Sequence, residues 1–78
     1  MTQDPDQAAR RRQELGQQLK AQRHAAGLTQ ERLALDAGLD RSFYVDVENG
    51  HHSLTVDRLF AVADALGTTA DRLLSGIS

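Results

Sequence analysis

At 78 residues, with 40% hydrophobic and 26% charged side chains, the chain can bury one small core and lacks the composition of a disordered polymer. It contains no cysteine, which excludes disulfides, thiolate zinc sites and thiol catalysis. The net charge is −2 and the isoelectric point about 5.8, an acidic balance for anything that must bind a polyanion.

Asp4-Pro5-Asp6 is a helix-start signal: a capping acid, proline at the first helical position and a second acid in the first turn. The spacing predicts a first helix from Pro5 to Ala26, with residues 1–8 as an extension that frays. Gly16 is its one weak point, costing about 1 kcal/mol relative to alanine. Leu15, Leu19, Gln22 and Ala26 form the expected buried stripe, and Gly27 closes the helix. Arg10, Arg11 and Arg12 lie ahead of that stripe, either on a solvated face or against an external phosphate.

Thr29 is placed to cap a second helix, Gln30 to Ala37, with Leu33, Ala34 and Ala37 on one face. Gly38 supplies a tight turn. Asp40 caps a third helix from Arg41 to about Asn49, which turns Tyr44 and Val47 inward with Phe43 beside them; Gly50 ends it. His51-His52-Ser53-Leu54 is an irregular link. Thr55 caps a fourth helix from Val56 to Leu66, with Val56, Leu59, Phe60 and Ala63 expected inward and Asp57 in its first turn. Gly67 stops it, and Thr69 caps a short last helix from Ala70 to Leu74 or Ser75. Leu73, Leu74 and Ile77 exceed what so short an element needs for its own attachment, so a second apolar surface is expected there. The pattern offers no repeat and no strand candidate: one all-α domain of five helices over residues 1–78. No apolar run reaches the ~20 residues that span a bilayer and no signal-peptide pattern opens the chain, so a cytoplasmic location is expected.

Two helices joined by a glycine-bearing turn make the helix-turn-helix of DNA-binding proteins. Gly27-Leu28-Thr29-Gln30-Glu31, Leu33-Ala34, Ala37-Gly38-Leu39, Glu48-Asn49-Gly50, Thr55-Val56-Asp57 and Ala63-Asp64-Ala65-Leu66-Gly67 together resemble the Cro and phage-repressor, or Xre-like, class. The likeness runs from about Leu15 to Leu74. Within that class, Leu39-Asp40-Arg41-Ser42 is similar to the start of the second motif helix in restriction–modification controller proteins. The resemblance implies a lambda-repressor-like fold and duplex-DNA binding.

It also implies roles for particular residues. Thr29 and Gln30 would meet a DNA phosphate at a helix N-terminus, which is itself an anion site. Asp40, Arg41 and Ser42 begin the helix that enters the major groove, where arginine pairs with guanine O6 and N7; alternatively, Arg41 pairs with a nearby acid such as Asp40. Val45 and Asp46 depart from the small and polar or basic residues usual in the class. They can contact a thymine methyl and a cytosine amino group, or mark a helix that reads few bases or faces a protein. Phe43 stands where many relatives have a tyrosine able to reach phosphate. Asn49, His51 and His52 are candidates for the DNA backbone, and histidine gains charge on mild acidification. Arg23 and Glu48 match an internal salt bridge of the class.

Residues 27–50 carry Arg32 and Arg41 against Glu31, Asp36, Asp40, Asp46 and Glu48, a net −3. Affinity must therefore rest on a few placed cations, backbone N–H groups and helix dipoles. No metal, cofactor or small-molecule ligand is expected, and no nucleophile–base arrangement points to an enzyme. The resulting expectation is a sequence-specific transcriptional regulator that binds a palindromic operator as a homodimer, with Leu73, Leu74 and Ile77 at the subunit contact. The acidic motif leaves an alternative: a protein-interaction module, such as an antitoxin or antirepressor, built on the same fold.

Overall fold

The computed structural model describes residues 4–78, which form five helices and no strand: α1 (Pro5–Ala25), α2 (Gln30–Ala37), α3 (Arg41–Glu48), α4 (Val56–Leu66) and α5 (Ala70–Leu73). Of the extension expected to fray, Pro5 to Ala8 are helical, and residues 1–3 lie outside the described residues.

Short polar side chains start four of the helices. Asp4 accepts from the Asp6 N–H at 3.0 Å, Thr29 from Arg32 at 3.0 Å, Asp40 from Phe43 at 3.2 Å and Thr55 from Arg58 at 3.2 Å. Each satisfies a donor that the first helical turn leaves unpaired. Thr69 occupies the corresponding place before α5 but makes no side-chain capping bond. Between α2 and α3, Gly38 adopts φ 71°, a left-handed conformation that a β-carbon would strain. The Leu39 N–H then reaches back to the Ala34 carbonyl at 2.8 Å, closing the turn as in a Schellman motif.

α2 packs on α4 and α1 on α3, with α5 closing against α1 and α4. The core is Leu19, Leu33, Ala34, Tyr44, Val47, Val62, Ala63 and Leu73, ringed by half-buried Leu15, Leu28, Leu39, Phe43, Leu54, Leu59 and Leu66. Each large aliphatic side chain so buried contributes about 1.5–3 kcal/mol.

Two expected faces are corrected. On α1 the buried side runs through Leu15, Gly16, Leu19 and Arg23, while Ala26 is exposed and Gln22 only half-buried. The cause lies at Gly16, where a β-carbon would collide with the Glu48 carbonyl and approach that of Val47. The backbones of α1 and α3 touch there, so the helix turns its glycine and arginine, not Gln22 and Ala26, toward the core. On α4 the inward row is Leu59, Val62, Ala63 and Leu66, whereas Val56 and Phe60 are 67% and 55% exposed. Both rows have legal helical spacing because this helix is apolar around most of its circumference; packing against α2 selects one.

Leu73, expected at a subunit contact, is 0% exposed within the monomer's own core. The four residues of α5 are too few to cover the open end of the bundle without it. Leu74, 42% exposed, and half-buried Ile77 remain outside.

Candidate nucleic-acid interface

The outer side of the motif is built on a buried ion pair. Arg23, from α1, sends Nε to Glu48 Oε2 at 3.0 Å and Nη2 to Glu48 Oε1 at 2.8 Å, while Nη1 donates to the Leu28 carbonyl at 2.9 Å. The two side chains are 10% and 2% exposed. This is the forked geometry in which guanidinium and carboxylate pair most strongly. Burial works against the charged form of Glu48, but the hydrogen bonds and charge of Arg23 outweigh it and hold its pKa below the ordinary carboxylate value. The Glu48 hydrogen bond in turn holds the Arg23 pKa above its ordinary value. The Tyr44 hydroxyl is buried beside the pair without a hydrogen-bond partner among the described residues. Burial first, and the Glu48 carboxylate second, push its pKa up, so the phenol stays neutral.

Gln30 joins this cluster, its Nε2 donating to Glu48 Oε1 at 3.2 Å. Carboxylate oxygens only accept, so the contact fixes which end of the amide points inward. Gln30 is thereby half-buried and held at the N-terminus of α2, with a second amide N–H and the helix's own N–H groups beside it. Thr29 is exposed, but its hydroxyl is already engaged by the Arg32 N–H.

Asp40, Arg41, Ser42 and Asn49 are exposed along α3 and its ends, Val45 and Asp46 are half-buried, and His51 and His52 are exposed on the link that follows. All therefore border one continuous stretch of chain, the third helix with its two flanks. The bond expected as an alternative for Arg41 is absent among the described residues: the salt bridges there are Arg10–Glu14, Arg23–Glu48 and Arg32–Asp36. Arg41 is thus free of any acid partner at the head of the helix. Of the five acids in residues 27–50, Glu48 is neutralised by Arg23 from outside that segment, so the local field is less negative than the count suggests by one charge; the Arg32–Asp36 pair is already within it.

Arg10 and Arg11 both donate to the Ser78 carbonyl, at 2.8 and 2.9 Å, and Arg10 also holds Glu14. Two members of the arginine triplet are therefore spoken for inside the fold. No group of three or more His, Cys, Asp or Glu side chains among the described residues is arranged to hold a metal ion, and no helix there is long and apolar enough to cross a membrane.

One side chain at this surface has no counterpart in the sequence reading. Arg58, exposed in the first turn of α4, places its guanidinium carbon 5.0 Å from the centre of the Phe43 ring. The His52 ring lies 5.7 Å from the same ring, tilted by 34°. Nothing local in the sequence links these residues; only the fold, which returns the link and the first turn of α4 to α3, brings them together.

The helix-turn-helix family model designated HTH_3 matches residues 19–73. An immunity repressor protein of Bacillus phage phi105 is 43% identical over 53 residues, covering 68% of this chain and 37% of the repressor. The chain thus spans little more than a third of that relative's length. The control protein C.MunI of Mycoplasma sp is 33% identical over 58 residues, covering 74% of this chain and 78% of its own. Among solved structures, the restriction–modification controller protein C.AhdI from Aeromonas hydrophila superposes with a TM-score of 0.78 at 37% identity, covering 80% of this chain and 94% of that one. A hypothetical transcription factor from Neisseria, NHTF, gives a TM-score of 0.79 at 31% identity over 95% of this chain and 84% of its own. With that fold, that motif and those relatives, the chain belongs to the HTH_3 family of DNA-binding helix-turn-helix transcriptional regulators.

Proposed function

We propose that the protein binds a palindromic duplex operator as a homodimer, with α3 in the major groove and Arg41 and Ser42 reading base edges. The observation that carries this reading is the open outer side of α3, headed by an arginine with no acid partner among the described residues. Gln30 and the N-terminus of α2 would clamp phosphate on one flank. Thr29, Asp40, Val45, Asp46, Asn49, His51 and His52 line the remaining approach.

The dimeric half of the proposal rests on Val56, Phe60 and Leu74, which are 67%, 55% and 42% exposed on α4 and at the end of α5. A second copy covering these side chains would set two reading helices about one turn of DNA apart, ~34 Å. The controller proteins C.MunI and C.AhdI suggest a restriction–modification locus as one setting, and the phage repressor a prophage as another.

The test is a mobility-shift titration of duplex DNA from upstream of the protein's own gene, against unrelated duplex of equal length. Wild type should prefer the upstream DNA. Arg41→Ala should erase about 1–3 kcal/mol of that preference, the worth of one arginine–guanine pair, while leaving the circular dichroism spectrum unchanged. Equal retention of both duplexes by wild type, or an unaltered preference in the variant, would defeat base reading by Arg41.

A further inference from the structure

We propose that Arg58, seated on the Phe43 ring, is a DNA-phosphate contact that flanks the reading helix. It rests on the DNA-binding reading above and adds a residue to it.

The argument begins with the charge balance. Among the described residues, Arg10, Arg23 and Arg32 are each paired with a carboxylate, and Arg11 donates to the Ser78 carbonyl. Around α3 the acids Asp40 and Asp46 have no salt-bridge partner, and Asp57 adjoins Arg58 in sequence without pairing to it. A polyanion docking on this surface needs cations close by. Two lie on or against α3: Arg41 at its head, and Arg58, which reaches its third residue from the start of α4.

The stacking geometry then says what Arg58 can do. At 5.0 Å from the ring centre, its guanidinium is within cation–π range. A guanidinium has its donors along its edge, in the plane of the group. The residue is exposed and no hydrogen bond among the described residues engages those side-chain donors, so they stay available. The ring also limits the rotamers of a long, otherwise free side chain, so less order remains to be lost when a phosphate arrives. His52, on the same ring at 5.7 Å, completes a shelf of two nitrogen-bearing side chains beside the groove-facing helix. Phe43 has no hydroxyl with which to reach phosphate itself, and the cation on its ring supplies that donor.

The experiment measures binding of the intact protein to its upstream duplex and to an unrelated duplex across a range of salt concentrations. The variants are Arg58→Ala, Arg58→Lys and Phe43→Leu, with Arg41→Ala alongside. Loss of a phosphate contact weakens binding to both duplexes by the same factor. It also flattens the slope of log affinity against log salt by about one per subunit. Arg58→Ala should do both, Arg58→Lys should restore most of the slope, and Phe43→Leu should lose part of the affinity through its lost ring. An Arg58 that merely covered Phe43 would lower the unfolding temperature and leave the slope at its wild-type value; that result overturns the proposal. Should the slope stand unchanged while Arg41→Ala still lowers preference for the upstream duplex, Arg58 is excluded and DNA reading survives. Should wild type retain neither duplex, the DNA reading falls and the Arg58 contact with it.

Discussion

Burial alone would discharge Glu48; Arg23 keeps it ionised by supplying two hydrogen bonds and a full opposite charge at 2.8 and 3.0 Å. Because the folded pKa lies below the unfolded one, the pair's contribution to stability is complete above the ordinary glutamate value of about 4.3. It is lost as pH falls from there through the folded value. Wild type should therefore lose stability to urea steeply below about pH 4.3, while Glu48→Gln stays flatter and the two curves converge. At neutral pH the variant should be less stable by up to about 3–5 kcal/mol, the cost of stranding one buried partner. Parallel pH profiles would show that the charge of Glu48 does not carry the effect.

Individual residues differed in how far the sequence disclosed them. Caps were legible because a capping bond is local: Thr29, Asp40 and Thr55 each bond an N–H three residues ahead. The tie from Gln30 to Glu48 and the seat of Arg58 on Phe43 join different helices. No short-range pattern encodes either.

Among the elements, α1 meets α3 backbone to backbone at Gly16. Helix propensity alone predicts that Gly16→Ala stabilises by about 1 kcal/mol. The collision of the new methyl group with the Glu48 and Val47 carbonyls predicts the reverse. We expect net destabilisation of about 1–3 kcal/mol, the usual cost of overpacking, read as a lower urea midpoint. A raised midpoint would mean that the two helices can part without loss. This contact also explains where reading by periodicity faltered. Helix boundaries came out within one or two residues, but the inward rows of α1 and α4 are chosen by partners rather than by spacing. A helix such as α4, apolar at Val56, Leu59, Phe60, Val62, Ala63 and Leu66, offers several equivalent rows until a neighbour commits it.

For the whole molecule, extents of 37 × 23 × 20 Å leave little interior, and Val56, Phe60 and Leu74 stay exposed on the region formed by α4 and the end of α5. If two copies share that region, sedimentation equilibrium should return twice the chain mass for wild type. Phe60→Asp or Leu74→Asp should return the chain mass with helicity retained, since neither residue belongs to the monomer core. Monomer at all concentrations in wild type would remove the dimer from the proposal. The fold itself was readable at this scale because short caps, glycine stops and apolar periods all agreed over five consecutive helices. The outward apolar surface was not, since Leu73 and Leu74 are adjacent and chemically identical and only the packed bundle separates inside from outside.

The junction of Arg23, Glu48 and Gln30 has a kinetic meaning. It fastens α1, α2 and α3 to one another at a single point, so the reading head holds its shape while still free in solution. A rigid head needs no folding step after collision; only exposed tips such as Arg41 have freedom left to surrender. Its rate of capture is then governed by diffusion and long-range attraction. If α3 reads DNA as proposed, a net charge of −2 supplies little attraction, so such a head would find its target mostly by shape, with residence after arrival counting for more than speed of approach.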